Sequence, residues 1–330
     1  MKCAKARNVD TQTLHQMAKE FNTNLYDAMK QELDTDTLTT QIQAFKDVID
    51  EAGPGLMTQE EVKHIGDKSF DIINKSLERI TQNKNIPNEH EVEDEDDALD
   101  ADDLQLIEHE NADEYDLQIA AAELMGALFK THRDFVGEVV QRLRSELIPA
   151  CFASNENKRF KFALFILDDM VEHLGPTYFS PEDFSTIVQA ICGFCGHQSA
   201  SLRQASAYGI GVIAQNAGEA FANHSDLCLQ SLKSGVDFAV TPKIQSKKEK
   251  LQMYHHARDN AIASIGKVIK YQTGLVQSNP NYSGQLVTFW LSLLPITHDV
   301  EEAMAQFEYI SSFLLEQPAL IFGADPSAAA

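Results

Sequence analysis

The chain is poor in the features that mark several protein classes. Five cysteines in 330 residues (Cys3, Cys151, Cys192, Cys195 and Cys228) are too few, too scattered and odd in number for a disulfide framework, and they point to a reducing compartment. The two N-x-S sequons at Asn223 and Asn281 carry no weight in such a compartment. No apolar run approaches the roughly 18 residues of a membrane span, and no apolar stretch follows Met1-Lys2-Cys3-Ala4-Lys5 to make a secretory signal. Glycine and proline, at 16 and 10, are too sparse for low-complexity structure. No strand-like alternation of useful length occurs. Basic residues are absent from Asn85 to Phe129, a window that holds 16 Asp and Glu, whereas the rest of the chain carries 34 acids against 27 bases. Most of the net charge of −23 therefore sits in one segment. Such a surface repels phosphates, so nucleic acid is excluded as a partner and basic protein segments are favoured.

What is present is a repeated helix. Ser201 to Ala214 reads SLRQASAYGIGVIA, and Ala257 to Ile269 reads ARDNAIASIGKVI. With Arg203 laid on Arg258, Ile210-Gly211 falls on Ile265-Gly266. The two copies are expected to end at Gly218 and Gly274. A weaker copy runs from Arg159 through Phe162, Phe165, Ile166 and Met170 to Gly175. Gly175 and Gly218 are 43 residues apart, and Gly218 and Gly274 are 56 apart, the second interval lengthened by a Lys-rich loop. A helical repeat near 40 residues predicts a solenoid, in which each helix pair buries its apolar face by stacking on the next. The fold class is therefore all-α: an α-solenoid of antiparallel helix pairs at HEAT-repeat length.

Six pairs, each an A helix followed by a B helix, are predicted. The first A helix covers Thr11 to Leu33. Its B helix covers Asp36 to Ala52, with Leu38, Ile42, Phe45 and Ile49 on one face, and stops at Gly53-Pro54-Gly55. The second A helix covers Thr58 to Gln82. Pro87 then opens an acidic stretch, with order returning near Asp113 and a B helix through Leu117, Ala121, Leu124 and Leu128. The third pair is Phe135 to Phe152 and Lys158 to Leu174. The fourth begins after Pro181 and includes the Leu202 to Ala214 helix. The fifth is Glu219 to Val236, a loop carrying Lys243, Lys247, Lys248 and Lys250, then His256 to Tyr271. The sixth is Gly284 to Leu294 and Val300 to Leu315. The domain reading is thus HEAT-like helices over 1–86, an acidic disordered insertion over 87–112, HEAT repeats over 113–322 and a tail over 323–330.

Several motifs imitate chemistry. Gly209-Ile210-Gly211-Val212-Ile213-Ala214 matches a dinucleotide fingerprint in letters, but that motif needs a preceding strand; these glycines are read as close helix contacts. Cys192-Gly193-Phe194-Cys195 lacks a second ligand pair for zinc and a redox fold, and reads as buried structural thiols. His255 and His256, adjacent on a helix, point about 100° apart and do not converge on an ion. Asp168, Asp169, Glu172 and His173 read as a polar helix face, with no nucleophile beside them. No cofactor, no metal and no enzymatic activity are expected. The segment Glu91, Glu93, Asp94, Glu95, Asp96 and Asp97 is kept as a candidate for electrostatic capture of a basic partner, with Lys243 to Lys250 as its internal or external counter-charge.

Phe160 to Gly175, with its Ile166-Leu167-Asp168-Asp169-Met170-Val171-Glu172-His173 core, resembles the importin-beta superfamily of nuclear transport receptors, and within it the importin beta-3, or Ran-binding protein 5, branch. Arg203 to Val212, Ala263 to Lys270, Trp290 to Pro295, Asp299 to Ala303 and Phe307 to Tyr309 resemble the same branch, and the acidic run before Tyr115 sits where that branch carries one. Leu293 stands where the branch tends to have a second Trp. The resemblance runs from Asp113 to Phe322 and is loose before the acidic run. It implies a HEAT-repeat α-solenoid, a right-handed superhelix of antiparallel helix pairs, and the C-terminal third of a receptor that binds basic localisation signals, Phe-Gly nucleoporins and, through an N-terminal arch outside this chain, Ran in its GTP form. An uncapped repeat edge is implied at the C-terminal end. The implied setting is cytoplasm, nucleus and nuclear pore, without nucleic acid or membrane. B helices would line the cargo face, with Asp259 and Asn260 as candidate cargo contacts. A non-transport HEAT scaffold is the alternative reading; a tubulin-binding HEAT module ranks below it, because a single Lys loop offers little to acidic tubulin.

Overall fold

The computed structural model describes residues 10–84, 101–279, 282 and 284–322. The expected acidic run 89–97 and the tail 323–330 lie outside these. Among the described residues there are helices and no strand. The chain divides into two compact units, Met1–Leu147 and Ile148–Ala330.

In the first unit, α1 (Thr11–Gln31) pairs with α2 (Thr35–Ala52), and α3 (Gln59–Lys84) pairs with α4 (Ala101–Thr131). The starts follow sequence chemistry. Asp10 and Asp34 accept the backbone N–H of Thr13 and Thr37 at 3.0 and 2.8 Å, satisfying first-turn donors. Thr58 and Glu61 form a reciprocal capping box ahead of α3: Thr58 N–H donates to Glu61 Oε2 at 2.7 Å, and Glu61 N–H to Thr58 Oγ1 at 3.3 Å. Gly53, at φ +76°, ends α2 where a side chain would be strained. The B helices α2 and α4 lie against one another around buried Ile42, Phe45, Ile49, Leu117, Ala121, Leu124 and Leu128. Arg79 grips the Glu114 carboxylate with two nitrogens, and Gln118 donates to Ser76 Oγ at 2.9 Å, fixing α3 on α4. After a 3-10 turn at Arg133–Phe135 come α5 (Gly137–Arg142) and a π turn at Leu143–Leu147.

In the second unit, α6 (Ile148–Ala153) precedes α7 (Asn157–Leu174). Next come α8 (Pro181–Cys192) with α9 (Ala200–Asn216), and α10 (Ser225–Val236) with α12 (Lys248–Tyr271). The last pair is α14 (Gln285–Ser292) with α15 (Val300–Glu316). Short helices α11 (Pro242–Gln245), α13 (Thr273–Ser278) and α16 (Pro318–Phe322) intervene. The B helices α7, α9, α12 and α15 stack in that order. The repeated glycines make this possible. A Cβ on Gly211 would lie 2.8 Å from Ser264 Oγ, and one on Gly266 would lie 1.9 Å from Gln306 Oε1. Each therefore faces the next B helix at a distance only a hydrogen atom tolerates, the role expected for them in place of a nucleotide loop. Ser264 Oγ donates to Ala207 O at 2.6 Å and Gln272 Nε2 to Ala214 O at 2.7 Å across the same α9–α12 seam.

The expected third A helix is broken into short segments over Arg133–Ala153, and the fifth starts at Ser225 after a 3-10 stretch instead of at Glu219; three further boundaries differ from the sequence expectation. Helix α4 starts at Ala101, not near Asp113, because Leu106, Ile107 and the alternation of acids with Gln105, His109 and Asn111 still allow helix where the acids no longer run together. Helix α12 starts at Lys248, so Lys248 and Lys250 are helical rather than part of a loop. It ends at Tyr271, leaving Gly274 inside α13, whereas Gly218, at φ +52°, does follow the end of α9.

Candidate interaction surfaces

Asp259 and Asn260, the candidate cargo contacts, are buried near the start of the α12 core segment. Asp259 Oδ2 accepts three consecutive backbone N–H groups, from Thr297, His298 and Asp299, at 3.2, 2.7 and 3.2 Å. Asn260 Nδ2 donates to Asp299 Oδ2 at 2.9 Å, while Asp299 Oδ1 caps α15 through Glu302 N–H. Together they hold the turn between α14 and α15, the two helices of the next pair. A carboxylate accepting three main-chain donors is already committed, so this pair is a fastener between repeats and not an open surface for a ligand. The spacing of an acid and an amide early in a B helix was visible in sequence; the loop that reaches back to them was not. Glu91, Glu93, Asp94, Glu95, Asp96 and Asp97 lie outside the described residues.

A different polar cluster does reach the surface of the second unit. Asp168, Asp169 and Glu172 project from α7, Tyr208 from α9, Lys267 from α12 and Glu302 from α15. Tyr208 is 41% exposed. Its phenol is pushed up to about 12 by burial and by the carboxylates of Glu172, Asp168, Asp169 and Glu302. The Lys267 ammonium lies 5.4 Å from the Tyr208 ring centroid and binds Glu302 at 2.5 Å. Asp168 is buried against Gly209, and its Oδ1 has no hydrogen-bond partner. Burial, with Asp169 and Glu172 beside it, raises its pKa well above the usual carboxylate range. Asp169, Glu172 and His173 bring three ligand-type atoms within 4.8 Å of one another, all from one helix. Sequence reading took this stretch as a polar face; the signal it lacked was Tyr208, which adds an aromatic ring from the neighbouring repeat.

In the first unit, a groove of about 350 Å³ opens between α1, α2 and α3, lined by Asn22, Tyr26, Phe45, Leu56, Met57 and His64 among others. Tyr26 packs on His64 with ring centroids 5.3 Å apart, and Lys30 stands 4.4 Å from the Tyr26 centroid. Asn22 is buried with Oδ1 unpaired. Nothing in the sequence flagged this groove, since its walls come from three helices.

The Cys192-x-x-Cys195 pair does not assemble as the motif suggests. Cys195 Sγ accepts from Ser206 Oγ at 3.1 Å, whereas Cys192 Sγ lies 3.8 Å from Cys228 Sγ on α10. His255 stacks on His298 with centroids 4.1 Å apart, and His256 meets the same ring edge-on at 6.5 Å.

Stacked helix pairs keyed by small residues, with polar clusters carried from repeat to repeat, define a HEAT-repeat α-solenoid protein. No family model matches the sequence. A probable importin-5 homolog of Dictyostelium discoideum is 24% identical over 275 residues, covering 83% of this chain and 24% of that protein. Importin subunit beta-3 of Saccharomyces cerevisiae is 24% identical over 211 residues, covering 63% and 18%. Among solved structures, Kap121p bound to Ste12p superposes with a TM-score of 0.63 at 17% identity over 94% of this chain and 26% of that one. Kap121p bound to Nup53p gives 0.61 at 17% identity over 94% and 25%. The chain is thus similar along much of its length to proteins named importin-5 and importin beta-3, the branch its residues resemble, and it spans about a quarter or less of the length of those relatives.

Proposed function

We propose that this chain is the C-terminal segment of a nuclear import receptor and works by binding, not by catalysis. The observation that carries the reading is similarity to importin-5 and importin beta-3 proteins along 83% and 63% of its length, on a helix-pair fold of the same kind. Basic cargo is its partner class, because the net charge is −23 and the described B-helix surface gathers Asp169, Glu172 and Glu302 around Tyr208. A lysine or arginine side chain gains there chiefly from the Asp169 and Glu172 carboxylates beside the half-exposed ring, Glu302 being paired with Lys267. The run Glu91 to Asp97 adds a long-range electrostatic pull that speeds encounter and is screened by salt. The groove beside Tyr26 and Phe45 suits an apolar or aromatic side chain, which is what a Phe-Gly nucleoporin would present. Ran acts on the full-length receptor outside this segment, and the protein moves between cytoplasm and nucleus through the pore.

The test is a titration of the chain with a Lys/Arg-rich signal peptide and, separately, with a Phe-Gly repeat peptide, each at low and high salt. Basic-peptide binding that weakens steeply with salt, and by roughly an order of magnitude in Glu172→Lys, supports the reading. Phe-Gly binding should depend little on salt and fall when Tyr26 is replaced by Ala. Binding of neither peptide would assign the chain to non-transport HEAT scaffolds.

A further inference from the structure

The buried thiols of the second unit are arranged for a reaction that the CxxC spacing conceals. Cys192, the last residue of α8, and Cys228, in the first turn of α10, are 36 positions apart in sequence, about one repeat, so they sit on consecutive A helices. Their sulfurs are 3.8 Å apart, in van der Waals contact and sharing one S–H. Both are buried and free. A disulfide needs the sulfurs to close to about 2.05 Å, which is less than 2 Å of travel by side-chain rotation. Cys195, three residues from Cys192, is engaged with Ser206 instead, at 3.1 Å. Burial pushes its thiol up to about 12.

We propose that Cys192 and Cys228 form a reversible dithiol–disulfide site that staples α8 to α10 under hydrogen peroxide. The Cys192 thiolate attacks one peroxide oxygen. The O–O bond breaks, Cys192 becomes a sulfenic acid and hydroxide leaves, taking up the thiol proton as water. Cys228 sulfur then attacks the sulfenic sulfur, the S–O bond breaks, and the Cys228 proton leaves with the oxygen as a second water. The sum is two thiols and one peroxide giving one disulfide and two waters. Cys192 is the attacking sulfur because it accepts hydrogen bonds from Cys228 and Ser231, which lower its pKa, whereas Cys228 is raised. The pair is buried, which limits reaction to a small oxidant reaching it through local opening and makes the response slow. Once formed, the bond adds a covalent tie between the A helices of two repeats whose B helices already share hydrogen bonds, and restrains sliding of one repeat on the next. This proposal is independent of the transport reading.

The test uses the full chain, native and reduced, treated with hydrogen peroxide, then alkylated and digested without reductant. The expected product is a cross-linked peptide pair carrying Cys192 and Cys228, two hydrogens lighter than the free peptides and released by dithiothreitol. Oxidised protein should show slower amide exchange across α8 and α10. Cys195→Ala should form the same cross-link, and Cys228→Ala should stop at a dimedone-reactive sulfenic acid on Cys192. A Cys192–Cys195 product, or both thiols still alkylatable after oxidation of the native wild-type chain, would overturn the proposal. Because that readout is made on wild-type protein, it stands even where a variant fails to fold.

Discussion

At the scale of single residues, the second unit contains one group whose burden is written into the pH dependence of stability. Asp168 is buried with an unpaired Oδ1, and Asp169 and Glu172 on its own helix oppose its ionisation. From α9 it meets Gly209 and the phenol of Tyr208, and neither brings a positive charge. Its folded pKa is raised above the unfolded value, so the folded state holds a proton that the unfolded state has released. Stability is therefore greatest below the ordinary aspartate pKa near 4 and declines as pH rises toward the folded pKa. Asp168→Asn removes the ionisation. Its effect on thermal midpoint should be small at pH 4 and stabilising at pH 7, with the difference read directly from melts at the two values. A variant equally stable or less stable than wild type at both would show that Asp168 is compensated by a cation. Asp259 is as deeply buried, but its carboxylate accepts three main-chain donors where Asp168 Oδ1 has none.

At the scale of helices, the seam between B helices is set by what glycine omits. Gly266 is followed across the seam by Gln306, whose Oε1 accepts from Trp290 Nε1 at 3.1 Å. A methyl group there would meet Gln306 Oε1 at 1.9 Å and Trp290 Nε1 at 2.9 Å. Alanine in a helix gains roughly 1 kcal/mol over glycine by propensity, but overpacking a closed interface costs about 1–3 kcal/mol, and the lost buried hydrogen bond about 1 kcal/mol more. Gly266→Ala should therefore destabilise the second unit by about 1–3 kcal/mol. Urea unfolding followed by Trp290 emission, which should also shift to the red in the folded variant, measures it.

The glycine register was legible because two copies of the same helix place Ile-Gly in phase; the partner residues were not, since they lie a repeat away. Helix starts at Thr11, Thr35 and Val300 were legible within a residue, because Asp10, Asp34 and Asp299 cap them. The start of α12 was misjudged because Lys248, Glu249 and Lys250 look like a solvated loop, yet long charged side chains are good helix formers. The Tyr208 cluster and the Cys192–Cys228 pair escaped sequence reading for one reason. Each is assembled from residues in different repeats, while motif spacing compares neighbours along the chain.

At the scale of the molecule, each of the two units closes its own core, and Trp290, the single tryptophan, lies buried in the second. Tryptophan emission therefore reports the second unit alone, whereas far-ultraviolet dichroism reports helices of both. We expect the two signals to give non-coincident urea transitions, the dichroism curve being broader or biphasic. Superimposable curves would show that the units unfold as one. Charge is also unevenly distributed at this scale: the base-free window 85–129 contributes acids to the first unit, while the basic residues of 243–250 belong to the second.

Helix α12 is keyed on both flanks, taking Gly211 of α9 against Ser264 and offering Gly266 to Gln306 of α15. Where a bare glycine backbone meets short or hydrogen-bonded side chains of its neighbour, there is little cushion to absorb a small shove. Pressure applied to α9, for instance by a ligand resting on Tyr208, would be handed through α12 to the B helix of the following repeat, much as a tooth turns the next wheel.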